Sequence, residues 1–277
     1  MTPPEQVADG GSGAAENPNR DKYIMYLKSV QGSAIRSLFE TMKEIVHDVS
    51  LEFDNTGIKI QTLDGARCAY IYLKLNGDSF EEYHCPGKWQ VGVNMASMFK
   101  LLRMAGSHDT VIMYATHEAS NELGIQIQNA EKNSNTVFSL KLLDVDSEEI
   151  SIPDVEYDAI ITLPSAYFQR ICRDMLNLSN SMTIRSEGGV LTLSCSGDFA
   201  SQSTQIGEAH EGMAISGNSG KVVQGVFSLK YLVLFCRASN MCNTIELYLR
   251  ESFPLIMRFN VASLGEIRFC LAPNVGE

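Results

Sequence analysis

From residue 22 onward, hydrophobic and polar residues alternate with a period of two in many short stretches. Examples are GIKIQTL (57–63), CAYIYLKL (68–75), TVIMYA (110–115), GIQIQ (124–128) and TVFSLKL (136–142). The same period returns in VLTLSCS (190–196), TIELYLR (244–250), LIMRFNV (255–261) and EIRFCLA (266–272). Such alternation predicts half-buried strands. Turn-forming residues separate the stretches, as at Asp54-Asn55-Thr56-Gly57 and Glu187-Gly188-Gly189, so the strands are read as antiparallel and the chain as sheet-rich. Four segments carry the helical period instead, predicting helices over 32–49, 94–105, 165–178 and 228–238. Their apolar stripes include Ile35, Leu38, Phe39, Met42 and Val49 in the first, and Met95, Met98, Leu101 and Leu102 in the second. The third has Phe168, Ile171, Cys172 and Met175; the fourth has Leu229, Leu232, Val233 and Cys236. Ser33 is the expected N-cap of the first helix.

The order of these elements suggests a duplication. Helix, several strands, helix, several strands occurs once over 22–140 and again over 159–277. Between them, LLDVDSEEISIPDVEYD (142–158) is acidic and holds Pro153, as expected of an extended connection. The predicted organisation is a disordered tail (1–21, rich in Pro, Gly, Ala and acids), a first domain (22–140), a linker (141–158) and a second domain (159–277). The fold class is α+β, with two similar sheet-plus-two-helix domains.

Charge changes the picture. The 277 residues hold 33 Asp and Glu against 22 Lys and Arg, a net charge of −11, which argues against a uniformly basic nucleic-acid binder. The distribution argues the other way. Each helical segment carries a cationic pair at i,i+7 or i,i+3: Arg36 and Lys43, Lys100 and Arg103, Arg170 and Arg173, Lys230 and Arg237. Each spacing puts both charges on one helix face. One pair alone reads better as a solvated helix face. Four in succession hold eight of the 22 basic residues and only four of the 33 acids. That segregation predicts a positive surface made of helices, suited to sequence-independent phosphate contact.

Catalytic and metal chemistry find no foothold. The seven cysteines are odd in number and show no C-x-x-C spacing; with no signal-peptide pattern at the start of the sequence, reduced thiols in a cytosolic or nuclear protein are expected. No apolar run approaches the ~18 residues of a membrane span. The segment Gly217-Asn218-Ser219-Gly220-Lys221-Val222 lacks the phosphate-loop spacing, and His210-Glu211-Gly212-Met213-Ala214 lacks the second histidine of a zinc-protease motif. The loop over 207–220 is read as a flexible hairpin, and the expectation is a non-enzyme with no cofactor and no metal.

Several longer stretches resemble the proliferating cell nuclear antigen family of DNA sliding clamps. They are VQGS (30–33), GIKIQTLD (57–64), FEEYHC (80–85), VGVNMASMFKLLRMAG (91–106), KLLDVDSEEISIPDVEY (141–157), LPSAYFQRICRDM (163–175), FSLKYLVLFCRA (227–238) and FPLIMRFNVASLGEIRFCLAP (253–273). The resemblance spans residues 23–273. It implies the DNA-clamp fold, with three chains closed head to tail into a ring, helices lining the hole and sheets outside. It places all eight helix cations where the family has basic pore residues, facing duplex DNA. Asn177 stands where a further basic or imidazole side chain is common.

The resemblance also implies two further sites. The ring seam is assigned to an edge strand with Thr136, Phe138 and Leu140 and to a polar strand with Ser201, Ser203 and Gln205; pairing them would cover two exposed edges. A docking pocket for short Gln-aliphatic-aromatic-aromatic motifs of polymerase, clamp loader, ligase and nuclease is assigned to Leu63, Arg67, Cys68, Tyr70, Ile150, Ile152, Pro153, Tyr157, Pro254, Ala272 and Pro273. Apolar residues on an acidic linker also suit local packing onto the sheets. Besides Asn177 and an unusual 21-residue N-terminal extension, the chain departs from the family's pattern elsewhere. Arg67 stands where His is common, Gly188 where a modifiable lysine is usual, and no acidic C-terminal tail is present. The expected location is the nucleus, or a site of viral DNA replication. Alternatives are a subunit of the heterotrimeric checkpoint clamp, or a peptide adaptor that binds no DNA.

Overall fold

Strand alternation and helical stripes resolve into two halves of identical element order. The computed structural model describes residues 22–145, 155–207, 211–217 and 221–274. The expected tail (1–21), the linker stretch 146–154 with Ile150, Ile152 and Pro153, two pieces of the 207–220 loop (208–210, 218–220) and residues 275–277 lie outside the described residues. The first half runs β1 (Tyr23–Ser29), α1 (Gly32–Met42), β2 (Asp48–Asp54), β3 (Gly57–Leu63), β4 (Ala69–Asn76), β5 (Glu82–His84), β6 (Trp89–Asn94), α2 (Met95–Leu102), β7 (Thr110–Thr116), β8 (Glu122–Asn129) and β9 (Ser134–Lys141). The second runs β10 (Ala159–Pro164), α3 (Ser165–Leu176), β11 (Ser181–Glu187), β12 (Val190–Ser196), β13 (Ser201–Gly207), β14 (Ala214–Gly217), β15 (Val223–Ser228), α4 (Leu229–Phe235), β16 (Thr244–Leu249), β17 (Leu255–Val261) and β18 (Gly265–Leu271). In each half a helix follows the first and the sixth strand, so the duplication read from the sequence is one of structure.

The sheets repeat in the same way. β5-β1-β7-β8-β9 corresponds to β14-β10-β16-β17-β18, and β6-β2-β3-β4 to β15-β11-β12-β13. One pairing joins the halves: β18 lies antiparallel to β4, from Gly265 opposite Leu75 to Leu271 opposite Ala69, which merges two half-sheets into one of nine strands. β9 and β13 are the corresponding strands at the outer edges of the other two sheets, and each pairs on one side only.

The helices stack against one another over the sheets: α1 on α2, α3 on α4, and α1 against the short 3-10 turn Cys236–Asn240 that extends α4. Their apolar stripes are buried, with Ile35, Leu38 and Met42 in α1 and Phe168, Ile171 and Met175 in α3. The first helix is shorter than its periodicity predicts. It stops at Met42, and Val49, Leu51 and Phe53 alternate inward along β2. Val49 falls on both the helical and the strand pattern, and pairing of β2 with β3 and β6 settles it as strand. Ser33 lies inside α1, whose N-cap is Gln31 without a side-chain bond. Asn94 does cap α2, its side chain accepting from the Ser97 N–H at 2.9 Å.

At the joint, Phe269 of β18 stacks on Phe235 of α4 at 4.5 Å and meets Phe259 edge-on at 6.0 Å. All three are buried to within 1% of full enclosure. Phe269→Ala is expected to cost about 3–5 kcal/mol, read as an earlier midpoint in chemical denaturation, since the void opens where helix, sheet and both halves meet.

Candidate functional site

Helix packing brings the eight predicted cations onto one layer, in two states. Lys100, Arg103, Arg170, Arg173 and Lys230 are exposed. Arg170 leans over the Tyr167 ring at 5.2 Å; Lys100, Arg103, Arg173 and Lys230 have no ion pair among the described residues. Arg36, Lys43 and Arg237 are engaged, although Arg237 is exposed as well. Arg36 is half-buried and donates to the Ala105 carbonyl at 3.0 Å, tying α1 to the end of α2. Lys43 caps the end of α1, pairs with Glu44 and lies 4.9 Å from the Phe99 ring centre. Arg237, in the 3-10 turn of the other half, reaches the same Glu44 at 3.3 Å. Glu44 thus bridges the halves, and the Lys43 hydrogen bond, with Arg237 beside it, holds its carboxyl below the usual range. Asn177 is exposed at the end of α3.

A second feature lies on the opposite face of the nine-stranded sheet. Register places Leu63 opposite Tyr70, Tyr70 opposite Cys270, Cys270 opposite Ile256 and Ile256 opposite Tyr248. The result is an unbroken row across β3, β4, β18, β17 and β16. Tyr70, Ile256 and Cys270 are buried, with Leu63, Tyr72, Tyr157 and Tyr248 packed around them. Tyr157, just after the linker, meets Tyr248 edge-on at 5.2 Å. The neighbouring row is polar: Arg258 donates to Glu246 at 2.8 Å and to Glu266 at 2.6 Å. Solvent reaches this strip at the half-buried Leu63, Tyr72, Tyr157 and Tyr248.

The loop after β3 frames this strip. Asp64 is 7% exposed. Its Oδ1 accepts the N–H groups of Cys68 (2.8 Å) and Ala69 (2.7 Å), and its Oδ2 accepts the Ala66 N–H (3.2 Å) and the Tyr231 hydroxyl (2.5 Å). Burial raises the Asp64 pKa, but these four donors outweigh it and the net shift is downward. Tyr231 sits on α4 beside Lys230, so one hydrogen bond runs from the helix layer to the loop. Arg67 takes a left-handed φ of +58° at the loop tip, displaying Arg67 and Cys68 outward. The Ala272 N–H donates to the Cys68 carbonyl at 3.0 Å, which ties the end of β18 to this loop. Pro254 and Pro273 are half-buried nearby in sequence to β17 and β18.

The structure therefore unites Leu63, Tyr70 and Tyr157 in one cluster, while Ile150, Ile152 and Pro153 lie outside the described residues. Sequence reasoning missed Tyr72, Tyr248, Ile256 and Cys270. Their strand parity was readable, but the β4–β18 pairing that lines them up was not. Of the predicted seam residues, Thr136, Ser201, Ser203 and Gln205 are exposed and Phe138 is half-buried. Leu140 is packed into the chain's own core and reaches the edge only through its backbone. Among the described residues no cluster of His, Cys, Asp and Glu is placed to hold a metal ion, and the seven cysteines are free thiols.

A family profile described as proliferating cell nuclear antigen, N-terminal domain, matches residues 24–149, and the corresponding C-terminal domain profile matches residues 151–274. The chain belongs to the proliferating cell nuclear antigen family. It is 45% identical over 257 residues to the probable DNA polymerase sliding clamp 1 of Paramecium bursaria Chlorella virus 1, covering 91% of this chain and 98% of that protein. It is 32% identical over 253 residues to the proliferating cell nuclear antigen of Chaetomium thermophilum, covering 89% and 96%. Members of this family are non-enzymatic DNA sliding clamps, and the two-domain α+β fold is theirs.

Proposed function

We propose that three copies of this chain close into a ring whose helix layers line the hole, and that the ring holds duplex DNA by topology while its outer face tethers a DNA polymerase. The observation that carries this is the collection of the helix cations on one layer while the acids lie mostly elsewhere. Phosphate contacts of that kind carry no sequence information and permit sliding. The eight residues Arg36, Lys43, Lys100, Arg103, Arg170, Arg173, Lys230 and Arg237 form the DNA-facing set; the five that are exposed and without an ion pair among the described residues touch phosphate directly, Arg36 ties the helices together, and Lys43 and Arg237 are held by Glu44. Tethering raises the polymerase's effective concentration at the primer end.

The row from Leu63 to Tyr248, with Arg67, Cys68, Tyr157, Pro254, Ala272 and Pro273 around it, is the docking site for partner peptides that present an aliphatic residue and aromatics after a Gln. Ile150, Ile152 and Pro153 of the linker belong to the same proposed set. β9 and β13 form the seam between neighbouring subunits. Domains at 22–140 and 159–277, joined by 141–158, are the units of the ring. The protein works where DNA is replicated, in a nucleus or at a viral replication site.

The test is retention. The clamp is loaded by its loader onto nicked circular DNA and separated from free protein. It is expected to stay on circles and leave within minutes once they are cut; equal loss from both forms defeats the ring reading. A finer outcome concerns Glu44. Glu44→Gln removes the carboxylate that occupies Lys43 and Arg237, so the salt dependence of DNA retention is expected to steepen, by about one unit of log–log slope per cation freed.

A further inference from the structure

The chain's internal joint is a template for its outer edges. β7 and β16 begin at equivalent threonines, Thr110 and Thr244, which makes Tyr114 the counterpart of Tyr248. Tyr114 faces Gly124 as Tyr248 faces Ile256, and Gly124 faces Ser139 as Ile256 faces Cys270. In the other sheet pair, two-residue turns follow Asp54 and Glu187, so β3 and β12 align. Leu63 then faces Tyr70 as Ser196 faces Ser201. Within the chain the row is completed by Cys270 opposite Tyr70. At the chain's edges the corresponding row stops at Ser139 on β9 and at Ser201 on β13. The same pairing between subunits puts Ser139 opposite Ser201 and, one step outward, Lys141 opposite Phe199.

Two observations on these edges fit each other. Beside β9 lies an open groove of about 230 Å³, lined by Tyr114, Thr116, Glu122, Gly124, Val137 and Ser139 among others. Gly124 lets the Tyr114 ring lie across it in the groove wall: a Cβ there would stand 2.4 Å from that ring. Just before β13, Phe199 is 77% exposed, the most exposed large apolar side chain among the described residues, while Val137 at the groove is 55% exposed. Both belong to the solvent face of their sheets, since Leu140 and Ile206 mark the core parity of β9 and β13. Face matching is required when edge strands pair, because a one-residue slip would turn every side chain over.

We propose that Phe199 of one subunit packs over Ser139 into the Tyr114–Gly124 groove of the next, with Lys141 alongside its ring, and so closes the seam on the outer face. The inference rests on the ring reading and adds the register and the anchor. It also carries a functional consequence. Cys68 is the internal counterpart of Phe199, its carbonyl accepting the Ala272 N–H at the corresponding place. The small Cys68 leaves the internal groove open for partners. The large Phe199 fills the seam groove, so a ring offers one docking groove per chain and none at the seams.

Sedimentation of the parent protein and of Phe199→Ala across a dilution series reads the trimer's dissociation midpoint. Phe199→Ala is expected to raise that midpoint roughly tenfold or more, as loss of a buried aromatic anchor does, with the thermal unfolding of the isolated monomer unchanged. In parallel, a photo-cross-linking phenylalanine analogue in place of Phe199 is expected to join to a peptide of a neighbouring subunit within residues 114–141. A parent trimer with an unaltered midpoint in Phe199→Ala, or cross-links elsewhere, overturns the anchor and leaves the ring standing. A parent that stays monomeric at every concentration overturns the ring reading, and the anchor with it.

Discussion

Replacing Arg170 and Arg173 together by glutamate is expected to leave the proposed ring assembled and to cut its residence on circular DNA roughly tenfold or more at physiological salt. Both side chains are exposed on α3 and neither has an acidic partner among the described residues, so the change removes attraction and adds repulsion without opening the core. The measurement with most resolving power is the salt dependence of retention. Each cation withdrawn from a phosphate lowers the log–log slope by about 0.9. A variant that lost stability instead would shed subunits and show an altered sedimentation profile, with no change in slope among the rings that remain. Substitution of Arg36 is a poor substitute for this experiment, because its guanidinium holds the Ala105 carbonyl and its removal loosens the helix layer itself.

The second large effect is expected at Asp64 and Tyr231. Tyr231→Phe removes a single hydroxyl and leaves a buried carboxylate with three donors in place of four, a loss of about 1–3 kcal/mol. Because the carboxylate organises the loop that displays Arg67 and Cys68, affinity for a docking peptide is expected to fall several-fold while DNA retention holds. Asp64→Asn also breaks the loop's acceptor set and adds a pH signature. The carboxyl is held below its ordinary value near 3.9 in the folded chain. Its stabilisation is therefore complete above that value and is lost as pH falls through the lowered folded pKa. Acid unfolding of the parent should show this extra drop in stability below about pH 4, and Asp64→Asn should lack it. Equal acid curves would mean that the backbone donors alone hold the loop.

Phe269→Ala and Glu44→Gln probe two further contacts at the joint between the halves. The first empties the aromatic stack behind the β4–β18 pairing. The second removes the carboxylate that ties Lys43 of one half to Arg237 of the other.

Much of the fold is legible in the chain itself. Period-2 stretches such as 57–63, 190–196 and 255–261 are strands with the same limits, because burial of one sheet face leaves a direct mark on alternate residues. The repeated rhythm of helices and strands foretells two equivalent halves. The cationic pairs are visible because helical spacing alone puts i and i+3 or i+7 on one face. The end of the first helix is not legible. Val49 satisfies both periods, and only the neighbouring strands decide between them.

What the sequence determined by itself is local: which segments alternate, which carry a stripe, where charge of each sign collects, and, through long matching stretches, the family. Tertiary structure decided everything that depends on which strand lies beside which. The outward row from Leu63 to Tyr248 exists only because β18, at the far end of the chain, pairs with β4. The engagement of Lys43 and Arg237 follows from Glu44 meeting an arginine of the other half. The wall of the groove beside β9 follows from Tyr114 lying across Gly124. The physical reason is common to all three: backbone hydrogen bonding lets any strand accept many neighbours, so register and pairing are chosen by the packing of the whole chain rather than by the residues of one segment.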